Sequence, residues 1–173
     1  LVLGGSPGTM FLNELIPETF KEFIENNSLE VTHQSGYKNE TKVKDNYSTF
    51  IGEVTVQAFI EDIESAYQWA DIIICRSGAL TVSEIIASRS VGVFVPIKVS
   101  IDDHQKENAS YLSSLDAAWL IEESENFKNE LRELLVEIIN NKNLIYEKRE
   151  NIKKIELKDA ESIIFNEINA WYK

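Results

Sequence analysis

Cysteine occurs once in the 173 residues, at Cys75, so the chain can form neither an internal disulfide nor a cysteine-based zinc site. Histidine occurs twice, at His33 and His104, too far apart in sequence to suggest a metal centre. Basic residues are scarce: 17 Lys and Arg face 29 Asp and Glu, for a net charge of −12. Such a chain is a poor partner for a nucleic-acid backbone and has no general attraction to anionic lipid, so neither nucleic-acid binding nor membrane contact through this chain is expected. Long hydrophobic runs are missing too. Nothing approaches the ~18–20 apolar residues of a membrane span, and no leader-like segment is visible, which together lead us to expect a cytoplasmic compartment. What remains is 43% hydrophobic and 27% charged, the balance of a water-soluble folded domain able to bury a substantial core.

Strand-like and helix-like segments alternate along the chain. LVL (1–3) passes through a glycine-rich turn into an amphipathic stretch from Met10 to about Asn26, with Phe11, Leu12, Leu15, Ile16, Phe20, Phe23 and Ile24 at helical spacing. Strands are expected over 29–34, 53–59, 71–75, 92–96 and 117–121. Helices are expected between the later ones, including one from about Thr81 to Ser88, and the polar stretch 36–52 is helix or loop. Beyond Ser124 only helical patterns remain, ending in a tail (143–173) whose last helix is expected from Lys158 to Trp171. Short apolar strands separated by helices predict an α/β fold: a doubly wound, Rossmann-like parallel sheet of about six strands. The chain is read as one domain over 1–173. Because it opens directly in a strand-like run, an upstream segment is expected to precede it.

Ligands of such sheets bind beyond the carboxyl ends of the strands, so the residues after each strand carry the information. After the first comes GGSPGT (4–9), where glycines permit close backbone approach and Ser6 with a helix N-terminus can hold a phosphate. It matches neither GxGxxG nor a P-loop, and a plain strand-to-helix turn with Pro7 near the helix start fits almost as well. THQSG (32–36) brings His33 to the edge, where a structural histidine is expected. FIED (59–62) offers Phe59 and Ile60 either as core or as an apolar floor with backbone groups for a nucleobase, and Asp62 fits a helix cap. In CRSGALTVSE (75–84) a tight turn leads into a helix bearing Thr81, Ser83 and Glu84. Glu84 fits equally as an acceptor for a ribose diol or as part of a capping box begun by Ser77 or Thr81. Arg76 suits a phosphate or a carboxylate partner. Finally, DDHQKENA (102–109) presents Asp102, Asp103, His104, Gln105 and Asn108, which could read sugar hydroxyls, although paired aspartates are as a bare pattern a helix cap first.

In this order and spacing, GGSPG, HQSG, FIED, CRSGALTVSE and DDHQKENA resemble the C-terminal domain of the MurG family, the peptidoglycan glycosyltransferases. The resemblance is strong over residues 1–122 and continues by pattern into the helical tail. It implies half of a GT-B enzyme, two Rossmann-like domains flanking a cleft. The C-terminal half binds UDP-N-acetylglucosamine (UDP-GlcNAc). The other half, absent from this chain, binds the lipid-linked acceptor lipid I on the cytoplasmic face of the inner membrane, and the product is lipid II. Residue by residue, the resemblance implies Ser6 at the diphosphate, Ile60 offering backbone groups to uracil, and Ala79, Leu80, Thr81, Val82, Ser83 and Glu84 around the nucleotide. Glu84 would take the ribose, and Gln105, aided by His104, the GlcNAc hydroxyls. It implies direct displacement with inversion and no metal or other cofactor for donor binding. Pro7 and Thr9 stand where the family more usually has Gln and Ala, so the phosphate loop is expected to lose a side-chain contact. A chain confined to this domain is expected to bind donor without turnover, and no catalytic base is assigned. Two other readings share much of the pattern: a separate donor-binding subunit of a two-chain transferase, and a UDP-GlcNAc 2-epimerase-like enzyme. The second demands more strand-end carboxylates than are found here.

Overall fold

The computed structural model describes residues 1–4, 10–98 and 104–155. Six strands form one sheet: β1 (Val2–Leu3), β2 (Val31–Gln34), β3 (Val54–Gln57), β4 (Ile73–Cys75), β5 (Gly92–Phe94) and β6 (Trp119–Leu120). Every pairing is parallel, and the spatial order is β3-β2-β1-β4-β5-β6. Successive connections run outward from β1 in one direction and then, from β4, in the other. The order therefore reverses between β1 and β4, and the crevice of a doubly wound sheet opens at that point.

The helices are α1 (Met10–Glu25), α2 (Glu40–Tyr47), α3 (Ile63–Trp69), α4 (Ala79–Ser88), α5 (His104–Ser114), α6 (Phe127–Asn140) and α7 (Asn143–Ile152). Strand side chains alternate between two cores, as the pleat requires. Ile72, Ile74, Val93 and Val95 join one core with Leu12, Ile16 and Phe20 of α1, Val43 and Tyr47 of α2 and Leu131 and Leu135 of α6. Ile73, Cys75 and Phe94 join the other with Tyr67 of α3, Val82, Ile85 and Ile86 of α4 and Ala109 and Leu112 of α5. Central strands buried on both faces need apolar residues at every position, which is why they read as unbroken hydrophobic runs.

Two local features add detail to the sequence expectation. The polar stretch 36–52 contains α2, because Val43 and Tyr47, one turn apart, give an otherwise polar segment a buried edge. Helix α1 also runs through Pro17, which cannot donate to the carbonyl of Asn13 one turn earlier. The Asn46 side-chain amide of α2 donates to that carbonyl instead, at 3.4 Å. The helix expected over 158–171 lies outside the described residues.

Candidate functional site

The carboxyl edge of the sheet gathers Gly4, Gln34, Ile60, the turn 76–78 and the N-termini of α4 and α5. Gly4 donates its backbone N–H to the Gln34 carbonyl at 2.7 Å. A Cβ at Gly4 would lie 2.3 Å from Asn13 Oδ1 and 2.9 Å from the Gln34 carbonyl, so no side chain fits there. The rest of that loop, including Ser6, Pro7 and Thr9, lies outside the described residues, as do Asp102 and Asp103.

His33 is structural, as expected. Asn13 donates its amide to the Ser35 carbonyl at 3.0 Å, so its Oδ1 is the acceptor for His33 Nε2 at 2.9 Å. The opposite ring nitrogen, Nδ1, then accepts from the Tyr47 hydroxyl at 3.1 Å. Burial holds His33 neutral, with its pKa lowered to about 3. The network clamps the first turns of α1 to the end of β2, beside Gly4. Gly36, with φ of 78°, turns the chain away from that edge in a conformation suited to glycine.

At the end of β3, Ile60 is buried and Phe59 is 56% exposed. The Ile60 N–H donates to Gln34 Oε1 at 3.0 Å. A ligand base would thus meet the Ile60 carbonyl rather than both of its backbone groups. These residues border an open cleft of about 810 Å³ that also involves Tyr37, Gln57, Asp62 and Trp69. Asp62 is a helix cap, as its spacing allowed: it accepts from the Ser65 N–H at 3.0 Å and from the Ser65 hydroxyl at 2.7 Å. That hydroxyl holds its carboxyl below the usual range.

The turn after β4 resolves the two readings of Glu84 in one respect. Helix α4 begins at Ala79, and its N-cap is Gly78, which has no side chain to cap with. Neither Ser77 nor Thr81 forms the capping box. Ser77 is buried and donates its hydroxyl to the Gln105 carbonyl at 2.7 Å, tying α4 to α5. Glu84 sits mid-helix, exposed, and its Oε2 accepts from the Tyr67 hydroxyl at 3.0 Å. Leu80 is 69% exposed at the helix start, Ala79 and Val82 are buried, and Thr81 is half-buried. The Ser83 Oγ is buried with no hydrogen-bond partner among the described residues.

Arg76 turns inward rather than towards a ligand. It is 5% exposed, donates to the Val95 carbonyl at 2.8 Å and pairs with Glu123. Glu123 Oε2 in turn accepts from the Lys98 N–H at 3.1 Å, so this pair moors the start of the loop leading to α5. In α5, Gln105 Oε1 accepts from the Ile97 N–H at 3.3 Å, which fixes the amide and leaves its NH2 group on the opposite side of the side chain. Asn108, read from sequence as a possible sugar contact, donates to the Ser77 carbonyl at 3.1 Å and is a brace. His104 is half-buried, its Nδ1 3.8 Å from Glu107. Among the described residues no group of three or more His, Cys, Asp and Glu is placed to hold a metal ion.

Tyr67, Glu123 and the Ser77–Gln105 link escaped the sequence reading. A tyrosine on the apolar face of α3 was a usable signal, since a buried hydroxyl requires a partner. No comparable signal marked Glu123.

The profile of the glycosyltransferase family 28 C-terminal domain matches residues 1–164. A relative from Psychromonas ingrahamii, named as a UDP-N-acetylglucosamine–N-acetylmuramyl-(pentapeptide) pyrophosphoryl-undecaprenol N-acetylglucosamine transferase, is 39% identical over 160 residues, covering 92% of this chain and 45% of its own. One of the same name from Colwellia psychrerythraea is 43% identical over 142 residues, covering 80% and 37%. The crystal structure of Acinetobacter baumannii MurG superposes with a TM-score of 0.78 at 32% identity, over 94% of this chain and 49% of that one. A glycosyltransferase of kitacinnamycin shares the fold, with a TM-score of 0.63 at 18% identity. The chain spans less than half the length of these relatives.

Proposed function

The chain belongs to the glycosyltransferase family 28 C-terminal domains, and on that premise we propose that it is the donor-binding domain of an inverting, UDP-GlcNAc-dependent hexosyltransferase of peptidoglycan synthesis. The relatives' shared name supports transfer of GlcNAc to an N-acetylmuramyl-pentapeptide carried on pyrophosphoryl-undecaprenol, the acceptor lipid I, with lipid II as product. The observation that carries the reading is Glu84: an exposed carboxylate on α4, at the switch-point side of the sheet, committed to no cap and no ion pair with a described residue. A carboxylate there accepts two hydroxyls of a ribose. In the same reading the Ile60 carbonyl meets uracil, while Leu80, Thr81 and Ser83 with the start of α4 border the nucleotide. The Gln105 amide, helped by His104, donates to the sugar.

The chemistry asked of this domain is chiefly positioning and charge stabilisation. An acceptor hydroxyl, giving up its proton to a base outside this chain, attacks the anomeric carbon from the face opposite the diphosphate. The bond from that carbon to the diphosphate oxygen breaks with its electron pair, UDP leaves, and the configuration inverts. The negative charge developing on the diphosphate falls beside Gly4 and the positive ends of α1 and α4, and Ser6 is the side chain assigned to it by family resemblance. No metal or other cofactor is invoked for donor binding, and no base is assigned within this chain. No helix among the described residues is long and apolar enough to cross a membrane. The proposed site of action, the cytoplasmic face of the inner membrane, rests on the lipid-linked acceptor and on membrane contact made outside this chain.

Titration calorimetry with UDP, UDP-GlcNAc, UDP-GalNAc and NAD tests the proposal. UDP and UDP-GlcNAc should bind, the latter in preference to its C4 epimer, and NAD should not. Glu84→Ala should weaken UDP binding by about 1–3 kcal/mol, the cost of removing a charged hydrogen-bond acceptor. Binding of NAD without any UDP ligand would overturn the reading.

A further inference from the structure

A glutamate exposed on a helix samples many rotamers, and a ligand that needs one of them must bear the loss of the others. Glu84 is exposed but not free to wander. Its Oε2 accepts from the Tyr67 hydroxyl at 3.0 Å, a contact between α4 and α3 across 17 residues of sequence. Tyr67 is itself immobilised: it is 5% exposed, its side chain belongs to the core that includes Ile60, Val82, Ile85 and Ile86, and its carbonyl accepts from Ser90 Oγ at 3.4 Å.

We propose that Tyr67 is a positioning residue for ribose recognition, holding the Glu84 carboxylate in the rotamer that receives the 2′- and 3′-hydroxyls of a uridine nucleotide. The proposal rests on the reading of Glu84 as ribose acceptor, and it adds a residue and a geometrical reason. One carboxylate oxygen takes the phenol, and Oε1 has no partner among the described residues. A carboxylate has about four acceptor sites, so three remain after the phenol is satisfied.

Helix α3 also sets a distance. Ile60, whose carbonyl faces the base in this reading, packs in the same core as Tyr67 seven residues later. Its N–H is pinned to Gln34. The nucleobase and ribose of a nucleoside are joined rigidly, so a site gains most when the groups meeting each end share one stiff support. Here Ile60 lies just before α3 and Tyr67 within it, and the phenol transmits that spacing to a side chain on the next helix.

A purely structural role explains the contact less well. A bond from the buried phenol to a solvated glutamate adds little net stability, and a neutral acceptor would satisfy the hydroxyl as well. Burial and the nearby carboxylate raise the Tyr67 pKa well above the ordinary phenol value, so the hydroxyl remains a donor at any working pH.

The test compares UDP with 2′,3′-dideoxy-UDP by calorimetry on the wild-type protein, Tyr67→Phe, Glu84→Ala and the double variant, with melting midpoints recorded for each. Phenylalanine retains the ring and its packing. Tyr67→Phe should weaken UDP roughly three- to tenfold, the size of one lost net hydrogen-bond effect, and leave dideoxy-UDP unchanged. In the Glu84→Ala background it should add nothing. Equal weakening of both ligands, or an undiminished effect without Glu84, would show a structural role and overturn the proposal. If Glu84→Ala weakens UDP while Tyr67→Phe does not, the positioning role fails and the ribose reading stands. If Glu84→Ala has no effect and the two nucleotides bind alike, the ribose reading itself fails.

Discussion

At Gly78, φ is −62° and ψ is 150°, a backbone conformation open to any residue. A Cβ there would meet no atom within 4 Å. Neither strain nor packing against the described residues calls for glycine, in contrast to Gly4, where a side chain has no room. What glycine does at position 78 is keep the space before α4 clear of side chains from the described residues. Gly78→Ala should therefore be nearly neutral for folding. Alanine restricts the unfolded chain by about 0.4–1 kcal/mol and is a poorer N-cap by a similar amount, so the effects offset. Its methyl group should obstruct a nucleotide drawn against the helix start. The expected outcome is an unchanged denaturation midpoint with UDP affinity reduced at least several-fold. Equal affinity in the two proteins would mean that the ligand does not approach Gly78.

Between elements, the Arg76–Glu123 pair joins the end of β4 to the segment after β6 and, through the Val95 carbonyl and the Lys98 N–H, to the exit of β5. Arg76 has 6% and Glu123 15% of its side chain exposed, so removing one partner takes a counter-charge away from a poorly solvated place. Glu123→Ala should cost about 3 kcal/mol in urea denaturation, whereas replacing both residues by apolar ones of similar volume should cost markedly less. Additive losses would argue against a coupled pair. This contact also shows where the sequence stops being legible. The strands were visible because both sheet faces are covered: Ile72 to Cys75 alternate between two cores, and no position tolerates a polar residue. The ligand edge was visible because it follows from strand order. Asp62 capped its helix as its spacing indicated. The start of α4 was read two residues late because Gly78 caps without a side chain and leaves no polar signature. Arg76's partner lies 47 residues away and Glu84's 17, each on the far side of an intervening strand. Pairings of that kind depend on which strands become neighbours and in what register, and no local pattern carries that information. Even Ile60, correctly brought to the edge, offers one backbone group fewer than expected, because the Gln34 side chain from the neighbouring strand reaches it first.

For the molecule as a whole, acid should be the sharpest stress, and His33 supplies a specific reason. The ring lies fully buried between Asn13 and Tyr47, and burial lowers its pKa from 6.5 to about 3. Above pH 6.5 the imidazole is neutral whether the chain is folded or unfolded, and its titration contributes nothing. As the pH falls below 6.5 the unfolded chain binds a proton that the folded chain refuses, until the pH approaches 3. Over that window the free energy of unfolding declines by up to roughly 1.4 kcal/mol per pH unit on account of this one residue. From pH 7 to pH 5 the loss should be about 2 kcal/mol, a large share of the stability of a domain this size. His33→Gln keeps an acceptor and a donor for Tyr47 and Asn13 but cannot take up a proton. The variant should be less stable at pH 7, because its amide is shorter than the imidazole and reaches both partners less well. Its stability should nevertheless fall less steeply with acid, so that the difference between the two proteins shrinks by about 2 kcal/mol at pH 5. Urea denaturation at pH 7, 6 and 5 measures this. Parallel curves for the two proteins would show that the buried ring accepts its proton in the folded state as readily as in the unfolded one. The same network lies under Gly4 and fixes the start of α1, so protonation there would also disturb the loop assigned to the diphosphate. Because the folded ring refuses its proton until the pH nears 3, UDP affinity of the folded protein should hold between pH 7 and 5 even as its stability falls.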